Sequence, residues 1–143
     1  MKTWLKFIIA IALLILAAGV LVYIFVYNKP HKDYERASPD VELTAEELYM
    51  AFKSDREDAE SLYNGKVLQL TGEVDDVEKV DDMVIAVFAF SEGFFGLEGV
   101  RCTMLENHHE KALSLQTGDS VTIKGFCAGF SDSDVIMEYC SFP

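Results

Sequence analysis

The fold prediction for this chain rests mainly on Gly99–Phe130, GVRCTMLENHHEKALSLQTGDSVTIKGFCAGF. Its beginning, GVRCTML, and its end, SVTIKGFCAGF, read as strands because apolar and β-branched residues recur in them between turn signals. Between them, NHHEKALSL reads as a short helix or turn, and Thr117-Gly118-Asp119 turns the chain into the later strand. The domain must therefore accommodate a short helical connection between two of its strands.

Three more strands flank this stretch. In residues 66–74, KVLQLTGEV, apolar and polar side chains alternate. In residues 83–90, MVIAVFAF, the side chains of both strand faces are apolar. Residues 135–142, VIMEYCSF, form the last strand after a polar turn. Five strands with a short helix between the third and the fourth is the order of the OB-fold, so we predict a mainly β, five-stranded Greek-key barrel. The predicted core face of its first strand consists of Leu68, Leu70 and Val74.

An amphipathic helix precedes the predicted barrel. In LTAEEL, the Thr44 hydroxyl can accept from the Glu47 backbone while the Glu47 carboxylate reaches back to Thr44, which is a capping box. Leu43 and Leu48 supply the hydrophobic staple, and Asn64-Gly65 supplies the stop. The sequence therefore predicts one helix from Thr44 to this stop. Its predicted apolar face consists of Leu48, Phe52, Ala59, Leu62 and Tyr63.

The N-terminus carries an apolar run, FIIAIALLILAAGVLVYIFVY, at residues 7–27. Its length matches the roughly 20 residues that cross a bilayer core. We predict an uncleaved transmembrane anchor at residues 1–27, an extended linker at 28–42, and the helix plus OB-fold domain at 43–143. The alternative is a signal peptide cleaved near Ala17-Ala18-Gly19, which would leave an apolar mature N-terminus. We expect a single-pass inner-membrane protein whose C-terminal domain lies outside the cytoplasm.

The soluble part is strongly acidic. Two of the 12 basic residues, Lys2 and Lys6, precede the apolar run, whereas all 24 acidic residues follow it, so the remainder carries a formal charge of −14. Nucleic acids bind mainly to Lys and Arg that displace phosphate counterions. The charge therefore argues against a nucleic-acid partner, although nucleic-acid binding by the OB-fold stays the alternative function.

Several segments also carry a family resemblance. LTAEELYMAF, YNGKVLQLTGEV, GVRC, GDSVTIKGFCAGF and VIMEYC, in this order and spacing, resemble the tRNA-anticodon-binding-like (tRNA_anti-like) OB-fold family of bacterial membrane-anchored or exported proteins. The similarity covers about Leu43 to Phe142. It implies an OB-fold and no catalytic residues, and family members are mostly of unknown function. Because one OB-fold hosts many kinds of ligand, the resemblance does not decide the partner.

Three cysteines lie on the predicted third, fourth and fifth strands: Cys102, Cys127 and Cys140. In a closed barrel the fifth strand neighbours the other two, so the candidate disulfide joins Cys140 with Cys102 or with Cys127. The alternative is that all three are small buried apolar residues. No C-x-x-C motif is present, which argues against redox catalysis.

Neither the histidines nor the carboxylates form a motif for a metal. Adjacent His108 and His109 cannot readily face one ion, and we expect both to face solvent. The acidic residues lack the loop pattern of a calcium site, so we expect no specific divalent cation, no cofactor and no catalytic constellation. The acidic residues considered are Asp75, Asp76, Glu78, Asp81 and Asp82 between the first two strands, and Asp132 and Asp134 in the last turn.

The remaining candidate site is SEGFFGLEGVRC, residues 91–102. We interpret it as the connection between the second and third strands, with one of the two rings packed in the barrel mouth and the other exposed. Phe94, Phe95 and Arg101 form a candidate binding edge. The overall prediction is a noncatalytic, membrane-tethered binding or accessory module of the bacterial cell envelope, with an envelope protein as its candidate partner.

Overall fold

A computed structural model of the chain describes residues 2–27, 33–131 and 133–143. It divides the chain into two compact units, residues 1–32 and residues 33–143. The first part of the predicted linker, residues 28–32, and Asp132 lie outside the described residues.

The N-terminal unit is helical. Helix α1, Lys2–Val22, continues into a π-helical turn, Tyr23–Tyr27. Residues Lys2–Val26 are long and apolar enough to cross a membrane, and none of the window is buried within the protein. Length and composition fit either a membrane anchor or a signal sequence, which are the two interpretations that the sequence left open.

The second unit is built on one mixed sheet of seven strands in the order β1-β2-β6-β7-β5-β4-β3. Strands β5 and β7 are parallel, as are β1 and β2, and the remaining pairs are antiparallel. This sheet, with its short helical connection between β5 and β6, is consistent with an OB-like fold. The strands are β1 Val41–Thr44, β2 Val67–Glu73, β3 Asp76–Val80, β4 Met83–Gly93, β5 Gly96–Met104, β6 Ser120–Ser131 and β7 Asp134–Ser141.

The prediction of five strands is wrong in number, because β1 and β3 are additional strands. Strand β1 begins next to Asp40, which makes two hydrogen bonds to Val67 at the start of β2. The Asp40 N–H donates to the Val67 carbonyl at 2.7 Å, and the Asp40 carboxylate accepts from the Val67 N–H at 2.9 Å. Beyond the end of β2 the Val74 N–H donates to the Asp119 carbonyl, whereas the next N–H, that of Asp75, donates to the Val87 carbonyl of β4. At this point the backbone stops pairing with the β6 side of the sheet and begins to pair with β4. Strand β3 therefore forms in the segment that the sequence suggested was an acidic connection.

The predicted helix is two helices, α2 Ala45–Ser54 and α3 Arg56–Tyr63. The capping box is confirmed: the Glu47 N–H donates to Thr44 Oγ1 at 3.1 Å, and the Thr44 N–H donates to Glu47 Oε2 at 2.8 Å. Asp55 breaks the helix with extended backbone angles, and its carboxylate caps α3 by accepting from the Asp58 N–H. Ala59 is buried as predicted, but Leu62, also predicted on the apolar face, is 47% exposed.

The core is formed by buried side chains of α2 packed against buried side chains of the sheet. Its largest fully buried side chains include Phe52, Phe88 and Leu48. Leu68, Leu70 and Val74 are buried as the alternation in residues 66–74 predicts. A short helix, α4 His109–Leu113, follows a 3₁₀ turn at Glu106–His108 and buries Ala112. The helical connection predicted from NHHEKALSL is therefore present.

Residues 33–40, which the sequence placed in an extended linker, contact the barrel. The Tyr34 ring stacks on Tyr139 at 5.1 Å between centroids and contacts Phe126 at 5.2 Å. The backbone carbonyl of Glu35 accepts from Lys124 Nζ at 2.7 Å. From Asp33 onward the chain is therefore part of the folded domain.

Glu35 makes the stability of this contact depend on pH. The hydrogen bond from His108, followed by that from Asn107, lowers the pKa of Glu35 below its ordinary value of 4.5. A lowered folded-state pKa contributes stability above the unfolded value, and this contribution is lost as the pH falls through the folded value. We expect Glu35→Gln to lose less stability than wild type between about pH 6 and about pH 3, measured by urea unfolding of the full chain in detergent micelles.

The matched control for this prediction is Glu42→Gln, which neutralises an exposed carboxylate on β1. It should retain the acid sensitivity of the wild-type chain. Equal losses of stability in wild type and Glu35→Gln would show that the ionisation of Glu35 does not contribute to the pH dependence of folding.

Candidate functional site

The β4–β5 hairpin is the candidate site. Gly93 pairs with Gly96, so Phe94 and Phe95 form a two-residue tip. Strand β3 pairs with β4 only as far as Val87, and β7 pairs with β5 only from Val100. The hairpin therefore extends beyond its neighbouring strands.

Both rings at the tip face solvent. Phe94 is 95% exposed and Phe95 is 97% exposed, and the rings meet edge to face with centroids 5.1 Å apart. The prediction that these residues connect two strands is confirmed, but the prediction that one ring enters the barrel mouth is wrong. The physical reason is the length of the hairpin, which carries both residues past the end of the barrel.

The base of the hairpin is held by specific contacts. A register shift between Ala89 and Ser91 forms a bulge at Phe90, whose ring stacks on Tyr49 of α2 at 5.7 Å. The Tyr49 hydroxyl and Ser91 Oγ are 2.6 Å apart and share a hydrogen bond. On the other strand the Gly99 N–H donates to Asp134 Oδ1 at 2.9 Å. The exposed tip thus stands on an anchored base.

Arg101 lies between two carboxylates on the outer face of the sheet. Its Nη1 donates to Glu78 Oε2 at 2.7 Å, and its Nε donates to Asp134 Oδ2 at 3.3 Å. Partial burial lowers the pKa of Arg101, but the hydrogen bond and charge of Glu78, together with Asp134, outweigh it and raise the pKa above its ordinary value. The guanidinium is therefore positively charged, and the two carboxylates compensate its charge. Its ion pairs connect β3, β5 and β7.

The three residues of the predicted binding edge do not form one site. Arg101 follows Gly96 by five residues along β5, which is roughly 17 Å at the rise of a strand. Only Phe94 and Phe95 of this edge lie at the tip. The sequence did not indicate Glu78 or Asp134 as partners of Arg101, because their register depends on the pairing of strands far apart in the chain.

Other cations of the barrel also have partners within the protein. Lys124 is 7% exposed, and its Nζ donates to the Glu35 carbonyl. Lys111 Nζ lies 4.5 Å from the centroid of the Phe142 ring. With Arg101, these are three of the five basic residues that the sequence contains from Lys66 onward, against 14 acidic ones. The arrangement offers little free positive charge to a phosphate backbone.

Several of the carboxylates considered as metal ligands have structural roles. Asp75 Oδ2 accepts a hydrogen bond from the Ala89 N–H at 2.6 Å. The Asp134 carboxylate accepts hydrogen bonds from the Gly99 N–H and from Arg101 Nε. Asp81 adopts a positive φ of 53° in the tight turn between β3 and β4, a conformation that a short polar side chain tolerates. Within residues 2–27, 33–131 and 133–143, no group of three His, Cys, Asp or Glu side chains could hold a metal ion.

The two histidines are half-buried and bonded, so the prediction that both simply face solvent is wrong. His108 Nε2 lies 2.7 Å from Glu35 Oε1, and its Nδ1 accepts from the Phe142 N–H at 3.4 Å. His109 Nε2 lies 3.1 Å from the Met104 carbonyl oxygen. Each ring therefore joins the short helical connection to another part of the domain.

All three cysteines are buried and free in the structure. A Cβ on Gly125 would come within 2.5 Å of the Cys140 sulfur, so this thiol is closely packed between β6 and β7. The Cys127 thiol lies 3.8 Å from Asn64 Oδ1. A disulfide of Cys140 with Cys102 or with Cys127 stays a prediction.

We expect the native thiols to be unreactive. Burial raises the pKa of Cys127 to about 11 and raises the pKa of Cys140 well above its ordinary value. Because the thiolate is the nucleophile, a thiol reagent should leave the folded chain unmodified near neutral pH. Thiol counting with and without urea tests this. After unfolding, three reactive thiols would exclude the disulfide and one would demonstrate it, whereas rapid reaction of the folded chain would contradict the burial.

Comparison with known proteins identifies the family. The family model named tRNA_anti-like matches residues 1–141. The chain belongs to the tRNA_anti-like family. This result confirms the resemblance carried by residues 43–142, and the match extends through the apolar N-terminal helix of this tRNA_anti-like chain. No curated protein matches it.

Solved structures resemble the tRNA_anti-like chain in fold. A crystal structure titled as a "putative nucleic acid-binding lipoprotein" from Klebsiella pneumoniae subsp. pneumoniae matches with a TM-score of 0.54 and 16% identity, covering 80% of this chain and 99% of that chain. Asparaginyl-tRNA synthetase from Pyrococcus horikoshii, with and without asparaginyl-adenylate, matches at 19% identity with TM-scores of 0.38 and 0.37. In both, 57% of this chain is covered but only 20% of the synthetase. The similarity to the lipoprotein concerns the fold alone.

Proposed function

We propose that this chain is a noncatalytic, membrane-tethered OB-fold binding module of the bacterial cell envelope. Helix α1 acts as the anchor, and residues 33–143 form the domain that binds an envelope protein outside the cytoplasm. The supporting observation is the β4–β5 hairpin, which presents Phe94 and Phe95 to solvent. A soluble domain that exposes two adjacent aromatic rings at a protruding tip has the kind of surface that interfaces bury.

Nucleic-acid binding is the second candidate. The two exposed rings favour it, because single-stranded nucleic acids stack their bases on aromatic side chains. Stacking surfaces of this kind accompany a positively charged groove, whereas Arg101 is held by Glu78 and Asp134 and Lys124 is buried. We therefore rank the protein-binding function first.

Topology tests the envelope location. A reporter enzyme that is active only outside the cytoplasm, fused after Pro143 of the full chain, should be active in intact bacteria. A second fusion, made to a reporter that is active only in the cytoplasm, should be inactive. The reverse pattern would refute the envelope module and would support the nucleic-acid alternative.

Fluorescence anisotropy tests the alternative directly. The full chain in detergent micelles is titrated into labelled single-stranded DNA and RNA, long enough to cover a site of roughly 16 nucleotides, at low salt. We expect no saturable binding. Saturable binding that weakens as salt rises and is lost in Phe94→Ala/Phe95→Ala would establish the nucleic-acid function instead.

A further inference from the structure

The tip of the β4–β5 hairpin carries two of the most exposed apolar side chains in the described chain. Phe94 and Phe95 are almost fully solvent-exposed, and Leu97 beside them is 49% exposed. Residues 33–37 contact Asn107, His108 and Lys124 near the opposite end of β5. The tip therefore lies at the end of the domain away from the point where the chain enters it.

The tip is prepared for binding by its rigid base. The Tyr49–Ser91 hydrogen bond and the Gly99–Asp134 hydrogen bond hold both strands where the hairpin leaves the barrel. Holding a contact surface in one conformation before binding reduces the entropy lost on association. Two aromatic side chains presented in this way have the character of interface residues that contribute most to affinity.

The charge around the rings restricts the class of partner. Glu92 and Glu98 flank the tip, and the segment Ser91–Glu98 contains no basic residue. The Glu98 side chain lies over Gly93, so one carboxylate stands directly beside the turn. Nucleic acids and anionic lipid surfaces both carry negative charge and would be repelled. A protein surface with cationic residues is complementary to this arrangement.

We infer that Phe94 and Phe95 insert into an apolar pocket of a protein partner whose rim carries Lys or Arg residues that face Glu92 and Glu98. This inference rests on the proposed function and names the surface and the partner chemistry that it requires. The rings provide the buried centre of the interface. The two carboxylates provide the charged rim, which selects against phosphate-bearing partners.

Site-specific photocrosslinking in living cells tests the inference on the full chain. p-Benzoylphenylalanine is incorporated at Phe95 and, as the matched control, at Leu62, which is 47% exposed on α3. We expect a protein adduct from position 95 and at least about fivefold less from position 62, because hot spots concentrate in one patch. Mass spectrometry should map the adduct to an apolar pocket bordered by Lys or Arg.

The captured protein is then purified and titrated with the full chain in micelles. Phe94→Ala/Phe95→Ala should weaken binding at least about 30-fold. Glu92→Lys/Glu98→Lys should weaken it at least about tenfold and remove its salt dependence. The control reversal Glu42→Lys/Glu57→Lys, at exposed positions on β1 and α3, should leave the affinity within about twofold.

The remaining outcomes separate the inference from the proposed function. Protein adducts from Leu62 alone, or equal adducts from both positions, would leave the binding module standing and refute the hairpin as its site. Adducts from Phe95 to lipid or nucleic acid would refute both the partner class and the protein-binding function. A mapped pocket without basic residues, or unchanged affinity in Glu92→Lys/Glu98→Lys, would overturn the charged rim.

Discussion

Replacing Phe88 with alanine should lower the free energy of unfolding by about 4 kcal/mol. Phe88 is fully buried on β4, and its ring lies 3.1 Å from where a Cβ on Gly72 would stand. Removing the ring leaves a cavity between β2 and β4 that this close packing cannot readily close. Thermal unfolding of the full chain in detergent micelles, followed by near-ultraviolet circular dichroism, should show a Tm about 15 °C lower.

The matched control is Phe95→Ala, which removes the same side chain from the hairpin tip. Because Phe95 is 97% exposed, the free energy of unfolding should change by less than about 0.5 kcal/mol. The pair of variants distinguishes a ring that maintains the fold from a ring that is available for binding. A loss of stability in Phe95→Ala similar to that in Phe88→Ala would contradict the exposed position of the tip.

Gly99→Ala should be the second severe substitution, with a loss of about 3 kcal/mol. A Cβ at this position would fall onto the carbonyl oxygen of Phe88 and lie 2.8 Å from its carbonyl carbon. These are backbone atoms of the neighbouring strand, so β4 and β5 must separate to admit the methyl group. The separation would also strain the hydrogen bond from the Gly99 N–H to Asp134. Thermal unfolding of the full chain measures the effect.

Gly93→Ala is the control in the same hairpin. A Cβ on Gly93 would meet the side chain of Glu98, which can rotate away, and we expect a loss below about 1 kcal/mol. Both variants add one methyl group to a glycine of the β4–β5 pair. If the two lost equal stability, the clash with the Phe88 carbonyl would not be the cause.

Short-range signals in the sequence predicted several elements correctly. The capping box of Thr44 and Glu47 started α2 where expected, because both partners lie within one helical turn. The alternation in residues 66–74 identified the buried face of β2, because side chains on a strand alternate between its two faces. The turn residues around Gly118 correctly separated α4 from β6.

Two features were not predicted. Asp55 falls within the predicted single helix, but it ends α2 and caps α3 by accepting from the N–H of Asp58, three residues later. The acidic segment before β4 was read as a connection, yet residues 76–80 form β3 because β4 offers them a pairing partner. The strand count was therefore too low.

At the candidate site, too, the sequence predicted some features and the structure alone showed others. The sequence located Phe94 and Phe95 in a strand connection but left open how far the hairpin projects, which depends on where β3 and β7 stop pairing. It placed Arg101 in the candidate binding edge, whereas the sheet register brings Glu78 and Asp134 to either side of it. The tertiary structure therefore changed the predicted binding edge into an aromatic tip and a separate ion-pair group.

Composition and neighbours along the chain were sufficient to identify the apolar N-terminal helix, the acidic character of the domain and five of its seven strands. The three-dimensional structure was needed to establish the exposure of Phe94 and Phe95, the ion pairs of Arg101 and the contact of Tyr34 with the barrel. These depend on strand register, and register is specified by contacts between residues that are tens of positions apart.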